Sequence, residues 1–315
     1  MDKSRNLSAR VDSTTAAAIL SAGGICAFAT ETVYGLGADA RNADAVLAIY
    51  EAKGRPRFNP LIVHCANSAM AETLVVFDDN ARTLAERFWP GPLTLVLPIR
   101  PGNGIADIVT AGLDTLAVRV PAHAMARALI AAALCPIAAP SANPSGTLSP
   151  TRAQDVVDGF AGRVPVLDGG ACISGVESTI IACRDGAVIQ LRAGAIANQE
   201  IEAALGRKVP RAEKGSPVAA PGMLARHYAP RTQLCLDVDN PEPGEAYLGF
   251  GPLPGCNGPT RNLSPSGDLA EAARNLFAML HELDALGAGS IAVAPIPETG
   301  LGEAINDRLR RAAER

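Results

Sequence analysis

Lys53, Arg55 and Arg57 put three cations into five residues of the segment Lys53-Gly-Arg55-Pro-Arg57-Phe-Asn59-Pro60, in a chain whose formal net charge is -4. No Asp or Glu falls between Glu51 and Glu72 to neutralise them. A solvated turn spreads its charges and mixes their signs, so this cluster points to an anionic ligand. His64 follows the apolar run Leu61-Ile-Val63 and should sit at a strand end beside the basic segment. A lone His is structural more often than catalytic, so it is a candidate only in company.

The chain offers several partners for such an anion. There is no G-x-x-x-x-G-K-[ST], so a Walker-type NTPase is excluded. Gly35-Leu-Gly37-Ala-Asp-Ala40 matches the dinucleotide pattern G-x-G-x-x-A, but residues 30–34 separate it from the preceding strand, whereas a dinucleotide turn follows its strand at once. Ala138-Ala-Pro140-Ser141-Ala-Asn143-Pro144-Ser145-Gly146 leaves an apolar strand and at once presents Ser, Asn and Ser between stiffening prolines. It reads either as a ligand-holding loop or as a tight Asn-Pro turn. Ser149 and Thr151 could touch a ligand or cap the helix that follows. In Gly170-Ala-Cys-Ile-Ser174-Gly175-Val-Glu177-Ser178-Thr179 the flexed backbone can form an anion nest with Ser178 or Thr179 as hydroxyl donors, although such residues are also common at strand starts. Arg119, flanked by Val118 and Val120, must either point to solvent or pair with a carboxylate or phosphate. No Ser/His/Asp or Cys/His order argues for a covalent nucleophile.

Composition narrows the ligand. Aromatic residues make up only 4% and the balance of charge is acidic, which disfavours both a stacked-ring surface for single strands and broad phosphate-backbone binding. A local basic pocket for a small anion fits better. The seven cysteines are far apart, without a C-x-x-C pair or His at zinc spacing, and several lie in apolar runs. They read as reduced thiols of a cytosolic protein. The start of the chain lacks the form of a signal peptide. The longest apolar stretch, 128–139, is broken by Pro136 and is too short to span a membrane.

These residues need elements to hold them. Length allows about two domains. Through the first two hundred residues, helix-like and strand-like segments alternate, as in an α/β sheet covered by helices. Asp12 and Ser13 can cap an Ala-rich helix that ends by Gly23-Gly24. Strands are expected at 25–29, 61–65, 93–97, 116–120, 136–139, 164–167, 178–182 and 188–191. Helices are expected at 42–52, 79–88 and 122–134. Gly/Pro-rich segments at 30–37, 53–60, 141–150 and 169–177 follow several strands and are natural walls for one pocket at strand carboxyl ends. Residues 206–231 read as a linker. Strands at 233–238, 246–250 and 290–294, with helices at 268–286 and 301–313, then make a second α/β domain.

Taken together, Thr30-Glu-Thr-Val-Tyr-Gly-Leu-Gly37, Lys53-x-Arg55, Asn59-Pro-Leu-Ile-Val-His64, Trp89-Pro-Gly-Pro-Leu-Thr94, Val118-Arg-Val-Pro121, Ala139-Pro-Ser-Ala-Asn143 and Gly175-Val-Glu-Ser-Thr179 strongly resemble the YrdC-like domain of threonylcarbamoyl-AMP synthases. The tail resembles the long form of that family: Pro221-Gly-Met and Arg226-His-Tyr-Ala-Pro230 in the linker, Asn262-Leu-Ser-Pro265 and the stretch from Gly300-Leu-Gly302 beyond it. The resemblance implies a twisted, mixed open sheet covered by helices over residues 1–205, a linker over 206–231 and a smaller Rossmann-like α/β domain over 232–315.

It also implies a reaction. L-threonine and bicarbonate combine as a carbamate, which attacks the α-phosphate of ATP and releases pyrophosphate, with Mg2+ on the phosphates. The adenylate then feeds a separate, transiently met transferase that modifies an adenosine of certain tRNAs; strong direct tRNA binding is not expected. By the same resemblance Lys53, Arg55, Ser141 and Asn143 form a phosphate-binding tetrad, with Lys53 and Arg55 catalytic and Asn59, Thr115, Ser149 and Arg192 as further ATP contacts. Thr32, His64, Arg119, Ala139 and Ser178 would hold the amino acid, and Tyr228 would close over the nucleotide. No protein-held metal is implied. The sequence departs from the family at Ala29, where Pro is usual, and at Ala220, Leu224 and Ala225, where Ser, Lys and Tyr are usual; any cation or ring the linker lends to the pocket is then missing. The contrasting reading is an RNA-binding module without turnover, which would need a broad basic face.

Overall fold

The computed structural model describes residues 9–213, 227–255 and 257–314. The linker motif Pro221-Gly-Met, the departures at Ala220, Leu224 and Ala225, and Cys256 lie outside the described residues.

The first elements are β1 (Arg10–Val11), α1 (Ser13–Ser21), β2 (Cys26–Phe28), β3 (Gly35–Asp39) and α2 (Ala43–Lys53). Asp12 starts α1 by accepting from the Thr15 amide at 2.7 Å, and Asn42 starts α2 by accepting from the Asp44 and Ala45 amides. Then come β4 (Ile62–His64), α3 (Ser68–Leu74), α4 (Asp79–Phe88), β5 (Leu93–Pro98), α5 (Asp107–Thr110), β6 (Thr115–Arg119), α6 (Ala124–Ala133) and β7 (Ile137–Ala138). The first unit ends with α7 (Ala153–Gly159), β8 (Val166–Leu167), β9 (Thr179–Arg184), β10 (Ala187–Arg192) and α8 (Asn198–Leu205). Its strands form a ten-stranded mixed sheet in the order β1-β8-β2-β3-β7-β4-β6-β5-β9-β10.

Two expectations need correction. The segment 30–37 is not loop throughout: from Gly35 it enters β3, which pairs antiparallel with both β2 and β7, in keeping with the argument against a dinucleotide turn here. A Cβ on Gly37 would come within 2.7 Å of Ile137 and 2.8 Å of Phe28, so this glycine serves close strand packing. The basic segment 53–60 leaves a helix and not a strand. Gly54, at φ 61, ends α2 in the left-handed conformation and turns the chain so that Lys53 and Arg55 both point inward.

The second unit comprises β11 (Gln233–Cys235), β12 (Ala246–Gly249), β13 (Thr260–Asn262), α9 (Leu269–Ala285), β14 (Ser290–Val293) and α10 (Leu301–Ala313). Its four strands are parallel, in the order β11-β14-β12-β13. Its core does not stop at the boundary, because Val33, Leu148 and Val176 of the first unit pack into the same cluster as Leu276, Phe277 and Ile305. Among the described residues no helix is long and apolar enough to cross a membrane.

Candidate active site

Lys53 ends α2 and is 4% exposed. Its ammonium donates to the carbonyl of Ser141 at 2.6 Å and to that of Asn143. Arg55, 7% exposed, donates to the carbonyls of Asn59 and Pro60. Among the described residues neither cation has a carboxylate within ion-pair distance. Two buried charges held only by carbonyl dipoles are costly unless an anion completes them. Burial, reinforced by the neighbouring guanidinium, pushes the Lys53 ammonium well below its usual range. Burial likewise lowers Arg55 to about 10. Arg57, by contrast, is exposed.

Opposite them runs the turn after β7. The amide of Asn143 donates to the carbonyls of Pro144 and Thr147, which fixes the loop and leaves its Oδ1 without a partner. Both side-chain heteroatoms of buried Asn59 also lack partners. The turn and ligand readings of this segment are therefore compatible: one end of the amide builds the turn and the other remains for a ligand.

In the second half of the site Arg119 and Glu31 balance each other. Arg119 points inward, where its Nη2 donates to Glu31 at 2.6 Å, its Nη1 to the Thr32 hydroxyl at 3.0 Å and its Nε to the Gly91 carbonyl at 3.2 Å. A guanidinium has five N–H donors, so these three bonds leave two for another partner. Burial pushes the Glu31 carboxyl up, but the adjoining Arg119 outweighs it and leaves the group below its ordinary value. His64 is buried edge-on to Phe28 with its Nδ1 unpartnered, and burial lowers it to about 3, so it is a neutral imidazole. Ser178 shares a 2.7 Å hydrogen bond with Thr94 and accepts from Arg192 at 3.1 Å. Arg192 is buried too, and burial lowers its pKa.

One cavity joins these groups. Thr30, Thr32, Arg55, His64, Arg119, Ala139, Ser141, Ser178, Arg192 and Tyr228 all line it. Lys53 and Asn143 stand behind Ser141 through the bonds already given. The four segments expected as walls do converge, but from strands running in opposite senses, since β7 is antiparallel to β4 while β6 is parallel to it. The cavity thus lies over the sheet, with Ile62 and Gly35 in its lining, and not at a common set of carboxyl ends. Thr115 is not among the lining residues. Parallel pairing of Ile62 with Ala117 sets Thr115 level with Pro60, next to Asn59 and beyond the enclosed part.

Three ionisable residues in or beside the lining had no role assigned from sequence: Glu31, Glu177 and His227. Glu177 is 6% exposed, accepts from the Ser149 hydroxyl at 2.6 Å and pairs with Arg308 of α10 at 2.9 Å. Ser149 is therefore not a helix cap. The His227 and Tyr228 rings meet edge-on with centroids 4.0 Å apart, and the Ala229 amide donates to the Gly146 carbonyl, which pins the end of the linker across the Ser141 loop. Each stood inside a quoted motif, but burial and partners are tertiary facts that a motif does not display.

The arrangement has relatives. The Sua5/YciO/YrdC family, described as "Telomere recombination", matches residues 18–194, and the family described as "Threonylcarbamoyl-AMP synthase, C-terminal domain" matches residues 196–314. A threonylcarbamoyl-AMP synthase of Bacillus subtilis is 41% identical over 95% of this chain and 92% of its own length. One of Pyrococcus abyssi is also 41% identical, over 95% of this chain and 93% of its own. The crystal structure of P. abyssi Sua5 complexed with L-threonine superposes with a TM-score of 0.87 at 38% identity, covering 96% of each chain. With its large mixed sheet, its second parallel sheet and both family matches, the chain belongs to the two-domain threonylcarbamoyl-AMP synthases.

Proposed function

We infer that the cavity makes threonylcarbamoyl-AMP and pyrophosphate from L-threonine, bicarbonate and ATP. The observation that carries this reading is the pair of buried cations, Lys53 and Arg55, with no carboxylate partner among the described residues, next to a half-site in which Arg119 and Glu31 balance each other. The first half suits a triphosphate and the second a zwitterionic amino acid.

In the reaction the threonine amine takes up bicarbonate as a carbamate with loss of water. A carbamate oxygen then bonds to the α-phosphorus of ATP while the bond to the β-phosphate oxygen breaks, and pyrophosphate leaves. Charge grows on the non-bridging and leaving oxygens, so fixed donors account for most of the acceleration. Lys53 and Arg55 supply that charge, and Ser141 and Arg192 complete the phosphate cradle; the free Asn143 Oδ1 and the Ser149 oxygen, whose proton goes to Glu177, can only accept and suit the nucleotide's hydroxyl donors. Asn59 and Thr115 lie on the side where the nucleoside would extend. Thr32, His64, Ala139 and Ser178 surround the amino acid, and the two spare donors of Arg119 meet its carboxylate. Tyr228 walls the cavity from the linker.

Among the described residues there is no cluster of three or more His, Cys, Asp or Glu able to hold a metal ion. Mg2+ belongs to the nucleotide substrate, on whose phosphates it would sit, and no step is routed through it. The product is an activated acyl adenylate, which suits transfer by a separate tRNA-modifying enzyme in the cytoplasm.

The test is substitution under saturating threonine and bicarbonate. Lys53→Ala or Arg55→Ala should lower pyrophosphate release at least about a hundredfold, the usual scale for losing one charge-stabilising group. Near-normal turnover in both variants would remove the electrostatic assignment.

A further inference from the structure

Glu177 is out of place: a carboxylate in the lining of a cavity that must receive a polyanion. Both its oxygens are engaged, Oε1 by the Ser149 hydroxyl at 2.6 Å and Oε2 by the Arg308 Nε at 2.9 Å. Arg308 comes from the second unit yet is only 1% exposed. It also donates to the Ala193 carbonyl, next to Arg192, and to its neighbour Asp307, both at 2.8 Å. Its guanidinium stands 5.4 Å over the Tyr228 ring, and its Nη2 lacks a hydrogen-bond partner.

The same unit grips the chain on both sides of this pair. A Cβ on Gly175 would come within 2.3 Å of the Ala273 carbonyl in α9, so that helix lies directly on the backbone two residues before Glu177. His281 of α9 meets the Ser149 carbonyl at 3.2 Å. The C-terminal unit thus contacts Glu177, Ser149 and Tyr228 together.

We propose that Arg308 is a positioning residue for the nucleotide half of the site, supplied by the C-terminal domain: it neutralises Glu177 and holds it against the Ser149 hydroxyl, so that the cradle meets the triphosphate without an uncompensated negative charge. This rests on reading the cavity as the ATP site. The second domain then does more than cover the first, because it contributes the cation without which the phosphate cradle contains an unpaired negative charge. Removing one member of a buried pair leaves the other uncompensated.

The groups facing Glu177 are the Ser149 hydroxyl, Arg308, Arg192, and His227 and Tyr228 from the linker. Burial lowers His227 to about 3 and raises Tyr228, so neither changes charge between pH 6 and 8. Without Arg308, burial of Glu177 is opposed only by Arg192 and the Ser149 hydroxyl, so its pKa rises.

The experiment uses the full chain and measures KM for ATP in threonine-dependent pyrophosphate release, as a ratio to wild type at each pH, with melting temperature alongside. Arg308→Met should raise KM for ATP about tenfold or more at pH 8, more than it lowers kcat, with the deficit shrinking toward pH 6 as Glu177 takes a proton. Arg308→Lys should recover part of the affinity. Arg308→Met/Glu177→Gln should recover most of it and show a flat ratio, because a neutral amide can still accept from Ser149. A pH-independent loss not reversed by Glu177→Gln, or a KM for ATP unchanged in Arg308→Met, overturns the proposal. If Arg308→Met does not fold, the double variant decides: near-normal KM for ATP supports the proposal and a raised, pH-independent KM overturns it. A wild-type chain without threonine-dependent turnover would instead remove the ATP reading before Arg308 is at issue.

Discussion

Lys53 is a cation held almost wholly out of water. Its ammonium rests on two carbonyl oxygens with a guanidinium nearby, so its proton is held weakly until an anion arrives. A bound triphosphate raises its pKa again, and the difference must appear as proton uptake. Calorimetric titration with ATP in buffers of different ionisation enthalpy should show uptake at mildly alkaline pH, and Lys53→Met should abolish it; equal proton exchange in both proteins contradicts the assignment. His64 and His227 act in the opposite phase. Both stay neutral in the folded state, lowered to about 3, whereas an unfolded His binds a proton below about 6.5. The unfolded chain binds more protons in that window, so stability is full above it and falls as pH drops through it. Going from pH 7 to pH 5, each should account for up to about 2 kcal/mol. Below pH 7 the melting temperature of wild type should fall more steeply than that of His64→Asn/His227→Asn; equal slopes would contradict the assignment. At this scale the sequence was a good guide to which residues gather and a poor one to their partners. Arg119 was left open in the sequence between solvent and an anionic partner, and that Glu31 supplies that partner depends on a turn no spacing rule describes.

Most elements were legible because their signals are local. Asp12, Asn42 and Asp268 each stand where a side-chain oxygen caps a helix start, and the helix over 79–88 is where its pattern places it. β3 was hidden because its Gly35-Leu-Gly37 reads as a flexible turn; only Phe28 and Ile137 pressing on the missing side chain explain the glycine. β1 and β13 are too short to carry a period. The close approach of the chain after β10 to the start of β9 belongs to this scale too. A Cβ on Gly194 would lie 2.4 Å from the Ser178 carbonyl carbon and the Thr179 nitrogen. Backbone cannot yield as a side chain can, so Gly194→Ala should cost roughly 1–3 kcal/mol of stability and shift Ser178 off its bond with Thr94. Thermal melting with KM for threonine checks both; a variant indistinguishable from wild type in each would show that the strand end is free to move.

The whole molecule behaves as one cavity with two contributors. The alternation of strands and helices anticipated both sheets, but not that the second core would take in Val33, Leu148 and Val176, because contact between distant segments leaves no mark on either. Gly175 is the tightest point of that contact. Gly175→Val should drive α9 from the site loop, since its φ of 70 and the neighbouring backbone both refuse a side chain. It should separate a single melting transition into two, or lower it, and reduce turnover; an unchanged melt and rate would mean that the two units are coupled elsewhere. The buried placement of Lys53 and Arg55 also weighs against a surface for RNA, since neither can reach a phosphate backbone outside the cavity. The most direct measurement is pyrophosphate release from ATP with threonine and bicarbonate omitted one at a time. Release should require all three, with an adenylate carrying the threonine and the bicarbonate carbon as the co-product. Release that proceeds equally well without threonine would contradict the account.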